Sequence, residues 1–169
     1  KLMRRNQHQT IARLGYDYLA SVLYPSLAQY PDAYEKYVHY VGDTVWDGKA
    51  CYKIEINFTN YACNPYTITD QGEAVSTLAE KYYLNEYEVL SLNNLSWYGD
   101  ELKVGQTILL PNAYAKRTVL LIRNDLNLPV VTRVYDGKGL LEEYCFTSLQ
   151  VNTVIPAAEL SEDYPDYHF

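Results

Sequence analysis

Residues 66–112 read YTITDQGEAVSTLAEKYYLNEYEVLSLNNLSWYGDELKVGQTILLPN, and this stretch decides the fold that the sequence predicts. It begins with a short β-branched run, residues 66–69, which is typical of a strand. It ends with a second such run, residues 107–110, and Pro111 closes that run because proline cannot donate a ladder hydrogen bond. Gly105 in the preceding segment predicts the turn that leads the chain into this last strand.

Two helices are predicted between these strands. Apolar side chains recur there at i, i+3, i+4 and i+7, which is the spacing of one helical face. They are Val75, Leu78, Ala79 and Tyr82. Asn85 and Glu88 stand three residues apart in the pattern of a capping box, which predicts the start of the second helix. The stretch therefore predicts strand, helix, helix and strand, in that order.

Strand patterns flank this stretch on both sides. Apolar and polar side chains alternate over residues 52–58, and the run before them, residues 37–46, is also rich in strand-forming residues. Asp47-Gly48 between the two runs predicts a hairpin, because a type I′ turn needs positive φ at both central positions. Downstream strands are predicted at 118–122, 129–135 and 140–151. An antiparallel sheet follows from these short, turn-separated runs.

The beginning of the chain reads as helical over residues 7–30, with Gly15 and Pro25 predicted to break it into two short helices. The whole chain is therefore predicted to be α+β. We expect an antiparallel open sheet or partial barrel with N-terminal helices, interrupted by the strand–helix–helix–strand segment. The predicted domains are a discontinuous β-rich domain, residues 1–64 plus 114–169, and an inserted domain, residues 65–113.

The charge of the chain excludes several classes of partner. The formal net charge is −7, and residues 66–112 alone carry seven acids and two bases. Nucleic-acid binding needs clustered Lys and Arg to displace counterions, so we expect no nucleic-acid partner. No apolar run approaches the ~20 residues of a membrane-spanning helix, so we expect no transmembrane segment.

The residue types used in catalysis and metal binding form no recognisable motif. His8, His39 and His168 have no metal-ligand spacing, so we expect neither a metal site nor a cofactor. The paired carboxylates Glu142-Glu143 and Glu86/Glu88 diverge by their spacing and are interpreted as solvated surface. We therefore expect a protein that is not an enzyme. Two alternatives stay open for the cysteines: a Cys51–Cys63 disulfide, or buried free thiols.

Residues 66–112 resemble the LysM family along their whole length, over both strands, both helices and the Gly105-Gln106 turn. The resemblance implies a βααβ fold that binds peptidoglycan or another N-acetylglucosamine glycan and has no catalytic activity. It places the glycan-binding groove between two loops. The implied groove residues are Asp70, Gln71, Gly72, Glu73, Asn94, Leu95, Ser96, Trp97 and Tyr98.

The loop that leads into the first predicted helix departs from the family's usual pattern. The family has Asp followed by Thr or Ser after the glycine, and this chain has Glu73-Ala74. Alanine has no side-chain oxygen to cap the helix, which costs about 1 kcal/mol. A degenerate unit that only spaces or contacts other proteins is therefore the alternative to glycan binding.

The flanking strands and turns, most closely residues 122–146, resemble the last strands of bacterial lipoprotein-carrier (LolA-like) open β-barrels, and in particular an uncharacterised envelope family. This resemblance implies a possible lipid or lipoprotein ligand and a location in the bacterial cell envelope, periplasmic or outer-membrane associated. Further strands precede this point in that family, so we expect a missing upstream part that includes the signal segment. The alternatives are a glycan-targeted cell-wall hydrolase and a scaffold with a degenerate LysM spacer.

Overall fold

The computed structural model describes residues 15–30, 32–96, 101–161 and 164–165. The described helices are α1 (Tyr16–Ala28), α2 (Ala33–Tyr37), α3 (Val75–Tyr82) and α4 (Glu86–Leu92). The described strands are β1 (Val38–Trp46), β2 (Lys49–Asn57), β3 (Cys63–Thr67), β4 (Thr107–Pro111), β5 (Arg117–Arg123), β6 (Pro129–Tyr135) and β7 (Leu140–Cys145). A short 3-10 helix, Ala157–Leu160, lies near the end. None of the described helices is both long and apolar enough to cross a membrane.

The strands form two sheets, which confirms the α+β class and the open antiparallel sheet. Five strands pair antiparallel in the order β1-β2-β5-β6-β7, and β3 pairs antiparallel with β4 in a separate two-stranded sheet. Strands β2 and β5 are neighbours, although β3, α3, α4 and β4 come between them in the chain. Asn57 at the end of β2 pairs with Arg117 at the start of β5. The chain therefore leaves the large sheet and returns to it at adjacent points.

The hairpin predicted at Asp47-Gly48 is present. Both residues have positive φ, 49° and 68°, and Trp46 pairs directly with Lys49 across the turn. These are the dihedrals that a type I′ turn requires, so this prediction is confirmed.

Helix α1 covers one face of the five-stranded sheet. The core under it is apolar and aromatic. Its buried members are Leu27, Tyr37, Ile56, Phe58, Ala113 and Leu120, and a neighbouring cluster joins Val22, Tyr114, Ala115 and Val134. Cys51 points to the opposite face and packs with Leu121 and Val131. On the same face of β2 as Cys51, Lys53 and Glu55 form an ion pair at 3.0 Å, so this face is apolar only at the Cys51 end of the strand.

The break predicted at Pro25 is wrong, because α1 continues through this residue. Proline has no N–H, so the carbonyl of Ser21 loses its helical donor. The helix persists because Val22, Ser26 and Leu27 are all buried on its inner face. Gly15 is the residue before the first helical one, and residues 7–14 of the predicted segment lie outside the described residues.

The last strand is shorter than predicted. β7 ends at Cys145 instead of reaching residue 151. Phe146 still donates its N–H to the carbonyl of Val130 at 2.8 Å, but Ser148 has a φ of 53°. A left-handed residue turns the chain out of the ladder, and the Ser148 N–H then bonds the Asp47 carboxylate at 3.3 Å.

All three cysteines are free. Cys51 is fully buried in β2 of the large sheet, whereas Cys63 is half-buried in β3 of the small one. The disulfide alternative is therefore wrong. The free-thiol alternative holds, although Cys145 is exposed rather than buried.

The segment Cys63–Pro111, called the βααβ unit below, has a core of its own. Its strands and helices follow in the predicted order. Its buried apolar cluster is Ile68, Val75, Leu78, Ala79, Leu84, Val89, Leu90, Leu102, Ile108 and Leu110. The Asn85 side chain accepts the N–H of Glu88 at 3.2 Å, so the predicted cap of α4 is confirmed. At α3, where Ala74 cannot cap, the hydroxyl of Thr77 accepts the Ala74 N–H at 2.9 Å.

Candidate functional site

Two loops of the βααβ unit carry the residues predicted to bind glycan. Residues 70–73 follow β3 and residues 94–98 follow α4. The ladder of the small sheet extends beyond β3 at this end, because Ile68 donates to Gln106 and accepts from Gly105, both at 2.9 Å. The first loop therefore starts beside the turn that precedes β4.

The carboxylate of Glu73 organises the first loop. One oxygen accepts the N–H groups of Thr69 at 2.8 Å and Asp70 at 3.4 Å, and the other accepts the hydroxyl of Tyr66 at 2.5 Å. The hydrogen bond from Tyr66 and those from the backbone favour the charged form, so they lower the pKa of Glu73. The same hydrogen bond raises the pKa of Tyr66.

The main-chain donors of this loop are largely used inside it. Asp70 accepts the N–H of Gly72 on its carboxylate at 3.1 Å and the N–H of Glu73 on its carbonyl at 3.2 Å. Glu73 also accepts the N–H groups of Thr69 and Asp70. Four backbone N–H groups between residues 69 and 73 therefore already have partners. An incoming sugar would therefore meet loop carbonyls and the exposed side chains of Asp70 and Gln71.

The second loop is tied to β4 by Asn93, a residue that the sequence analysis did not single out. Its side-chain oxygen accepts the Leu109 N–H at 2.7 Å, and its amide nitrogen donates to the carbonyls of Leu109 at 2.9 Å and Val89 at 2.7 Å. Leu109 lies two residues beyond Thr107, which pairs with Thr67 at the end of the small sheet. Asn93 therefore holds the start of the second loop against the middle of β4.

The predicted groove residues fall into three groups in the structure. Asp70, Gln71, Gly72, Asn94 and Ser96 are exposed. Glu73 is half-buried by the contacts above, and Leu95 packs against the core of the unit while its N–H bonds Leu90 at 2.9 Å. Leu95 is thus an anchor of the loop rather than a sugar contact. Trp97 and Tyr98 lie outside the described residues.

Comparison with family models, with curated proteins and with solved structures gave no significant match.

Two carboxylates that were interpreted as solvated surface are buried. Glu88 is 1% exposed and Glu142 is 5% exposed, so this interpretation is wrong for both. Glu88 accepts a hydrogen bond from the hydroxyl of Tyr61, and burial is the main cause that raises the pKa of Glu88 to about 7. The adjacent Glu143 behaves as predicted, because it points the other way and pairs with Arg133 at 2.6 Å.

Glu142 connects the large sheet to the βααβ unit. Its carboxylate accepts the side-chain amide of Asn85 at 3.0 Å and the hydroxyl of Tyr144 at 3.1 Å. One signal could have revealed this burial. Leu140, Glu142, Tyr144 and Phe146 alternate along one face of β7 and just beyond it, and three of the four are apolar or aromatic. A carboxylate in such a row needs hydrogen-bonding partners.

A cavity of about 250 Å³ lies beside the two-stranded sheet, with Tyr66, Tyr82 and Pro111 among its walls, and two further cavities lie around this junction. One of about 390 Å³ separates α1 from α3 and the start of α4, with Tyr18, Tyr83 and Glu80 among its walls. Another, of about 30 Å³, lies between α1 and the sheet beside Glu142. The described residues contain no group of three or more His, Cys, Asp or Glu side chains placed to hold a metal ion.

Proposed function

We propose that the βααβ unit is a LysM-type module that binds peptidoglycan or another N-acetylglucosamine glycan through residues 70–73 and 94–98. The observation that supports this most is that hydrogen bonds from two side chains to the backbone hold both loops. Glu73 fixes the first through two backbone N–H groups, and Asn93 fixes the second through Leu109. Loops that are ordered before binding lose little conformational entropy when a ligand arrives.

The chemistry of the first loop suits a neutral, hydroxyl-rich ligand. Exposed carbonyls, the Gln71 amide and the Asp70 carboxylate can accept or donate hydrogen bonds to sugar hydroxyls and an N-acetyl N–H. An aromatic ring from Trp97 or Tyr98 would supply the apolar contact that sugar rings use. We infer a binding protein of the bacterial cell envelope that acts without catalysis.

The β-rich part is a weaker candidate for a lipid site. The cavity between α1 and the sheet has apolar and aromatic walls, including Leu19, Val22 and Phe146. Its volume of about 30 Å³ accommodates little more than a water molecule, so an acyl chain would have to displace α1. The small volume of this cavity therefore favours glycan over lipid as the ligand.

Sedimentation with purified peptidoglycan tests the proposal. The protein at micromolar concentration is expected to pellet with the glycan and to be released by chitooligosaccharide. Trp97→Ala should weaken retention, while Tyr24→Ala, which removes a 65% exposed ring on α1, should leave it unchanged. Absence of retention would contradict the proposal. Loss of turbidity of a cell-wall suspension would instead favour the hydrolase.

A further inference from the structure

Polar side chains close the junction between the βααβ unit and the five-stranded sheet. The ring of Tyr61 belongs to the core beneath α1, and its hydroxyl reaches across to Glu88 on α4. Three residues earlier, Asn85 donates to Glu142 of β7 at 3.0 Å. Hydrogen bonds to two buried carboxylates thus hold the start of α4 against β7 and against the segment that precedes β3.

The carboxyl group of Glu88 is incompletely paired in this position. One oxygen accepts from Tyr61, whereas the other is buried and has no hydrogen-bond partner among the described residues. An ionised carboxylate with a buried unpaired oxygen is strongly disfavoured relative to one in water, and a neutral carboxyl is disfavoured much less. The docked arrangement therefore suits the protonated form.

The groups that face Glu88 come from several elements. Tyr61 precedes β3 and Cys63 begins it, Asp136 and Lys138 lie in the turn between β6 and β7, and Glu142 lies in β7. Asp136 and Glu142 oppose a charge on Glu88, whereas Lys138 and the hydrogen bond from Tyr61 favour it. Burial is the largest effect, so the surroundings as a whole oppose ionisation.

We propose that Glu88 is a proton-operated latch, which holds the βααβ unit against the sheet when it is protonated and releases the unit when it is ionised. Release separates Asn85 from Glu142 and lets water reach both carboxylates. The unit stays folded when released, because its core of ten buried residues contains none from the sheet.

The direction of the pH dependence follows from the higher proton affinity of the docked form. The pKa of Glu88 is about 7 when docked, and a released carboxyl in water has an ordinary value near 4.5. Docking is therefore strongest below the ordinary carboxyl value and weakens as the pH rises through 7. The opening constant, which is the equilibrium constant for release of the βααβ unit from the sheet, should increase by roughly 10- to 100-fold between pH 5 and pH 8.

Two side-chain amides report on the latch in the intact chain. Asn85 is fully buried at the junction, whereas Asn93 is bonded only within the βααβ unit. Solvent exchange of each NH₂ group, measured by NMR and corrected for its intrinsic pH dependence, gives the opening constant at each place. We expect the constant at Asn85 to rise from pH 5 to pH 8 and that at Asn93 to stay level.

Substitutions identify the titrating group. Glu88→Gln should abolish the rise at Asn85, and Glu80→Gln, on the exposed face of α3, should leave it as in the unmodified chain. An opening constant at Asn85 that does not change between pH 5 and pH 8 in the unmodified chain would overturn the proposal, whether or not Glu88→Gln folds. A rise that persists in Glu88→Gln, or a parallel rise at Asn93, would overturn it as well. None of these outcomes depends on glycan binding.

Discussion

Asn93 takes the place of a neighbouring strand at the outer edge of β4. Its side chain satisfies both the N–H and the carbonyl of Leu109, as a paired residue would. Because both backbone groups of Leu109 already have partners, they are not available to pair with a strand of another chain. A single amide therefore fixes a loop and protects a strand edge.

Replacing Asn93 with alanine should lower the free energy of unfolding by about 1–3 kcal/mol, because the N–H and the carbonyl of Leu109 both lose their partner. Urea denaturation followed by circular dichroism measures this change. Asn64→Ala is the matched control, since Asn64 is exposed on β3, and it should change stability little. Equal effects of the two substitutions would show that the hydrogen bonds of Asn93 contribute nothing.

Glu73 has the corresponding role in the first loop, but its effect should appear in binding. Glu73→Ala releases the N–H groups of Thr69 and Asp70 and frees the loop to reorganise. We expect glycan affinity to fall by roughly 3- to 10-fold, because ordering the loop then opposes binding. Titration with chitooligosaccharide measures this, with Glu80→Ala as control. Unchanged affinity would mean that the loop is not part of the site.

The sequence predicted the loops but not the residues that hold them. Asn93 stands next to Asn94, and nothing in composition distinguishes the anchor from its exposed neighbour. From the sequence, Glu88 is placed in a capping box and its carboxylate is interpreted as solvated. Its side chain instead contacts Tyr61, which is 27 positions away in the sequence. Such long-range partners leave no periodic signal, so burial of this kind is visible only in three dimensions.

At the scale of elements, local turn chemistry was the more reliable guide. The Asp47-Gly48 hairpin follows directly from which residues tolerate positive φ. The break predicted at Pro25 failed because tertiary packing outweighed a local penalty. Three buried side chains on the same turns of α1 hold the helix together across the missing hydrogen bond.

The hairpin offers a test at this scale. Gly48→Ala forces a β-carbon into a left-handed position and should destabilise the protein by about 1–2 kcal/mol. Gly137→Ala is the control, because a β-carbon there meets nothing within 4 Å and φ is not positive. Thermal unfolding should show a lower Tm for the first variant only. A normal Tm for Gly48→Ala would contradict the importance of this turn.

At the scale of the whole molecule, the sequence predicts that a separate unit interrupts the sheet, but it does not predict which side chains attach that unit to the sheet. The helical period between two groups of strands indicated an interruption, and the adjacency of β2 and β5 agrees with it. The polar junction depends on Asn85 and Glu142, which meet across 57 positions. From the sequence, Glu142 is interpreted as solvated, because its spacing from Glu143 points the two carboxylates in different directions.

Removal of the βααβ unit tests how far the two parts are independent. Ala62 and Asn112 exchange hydrogen bonds at 2.9 Å, so residues 63–111 can be replaced by an Asn-Gly turn. The shortened chain should still unfold cooperatively, at a lower Tm because Tyr61 loses its hydrogen bond to Glu88 and Glu142 loses the one from Asn85. It should no longer sediment with peptidoglycan. Retained sedimentation would move the glycan site into the β-rich part.

The pairing of Asn57 with Arg117 also determines how the molecule would respond to a pull. A force that draws Asn57 and Arg117 apart would act on β2 and β5 at the same end, where the chain leaves and re-enters the sheet. Force applied in that geometry peels an antiparallel pair one rung at a time instead of shearing all its rungs at once. Under tension, the large sheet should therefore yield first between these two strands.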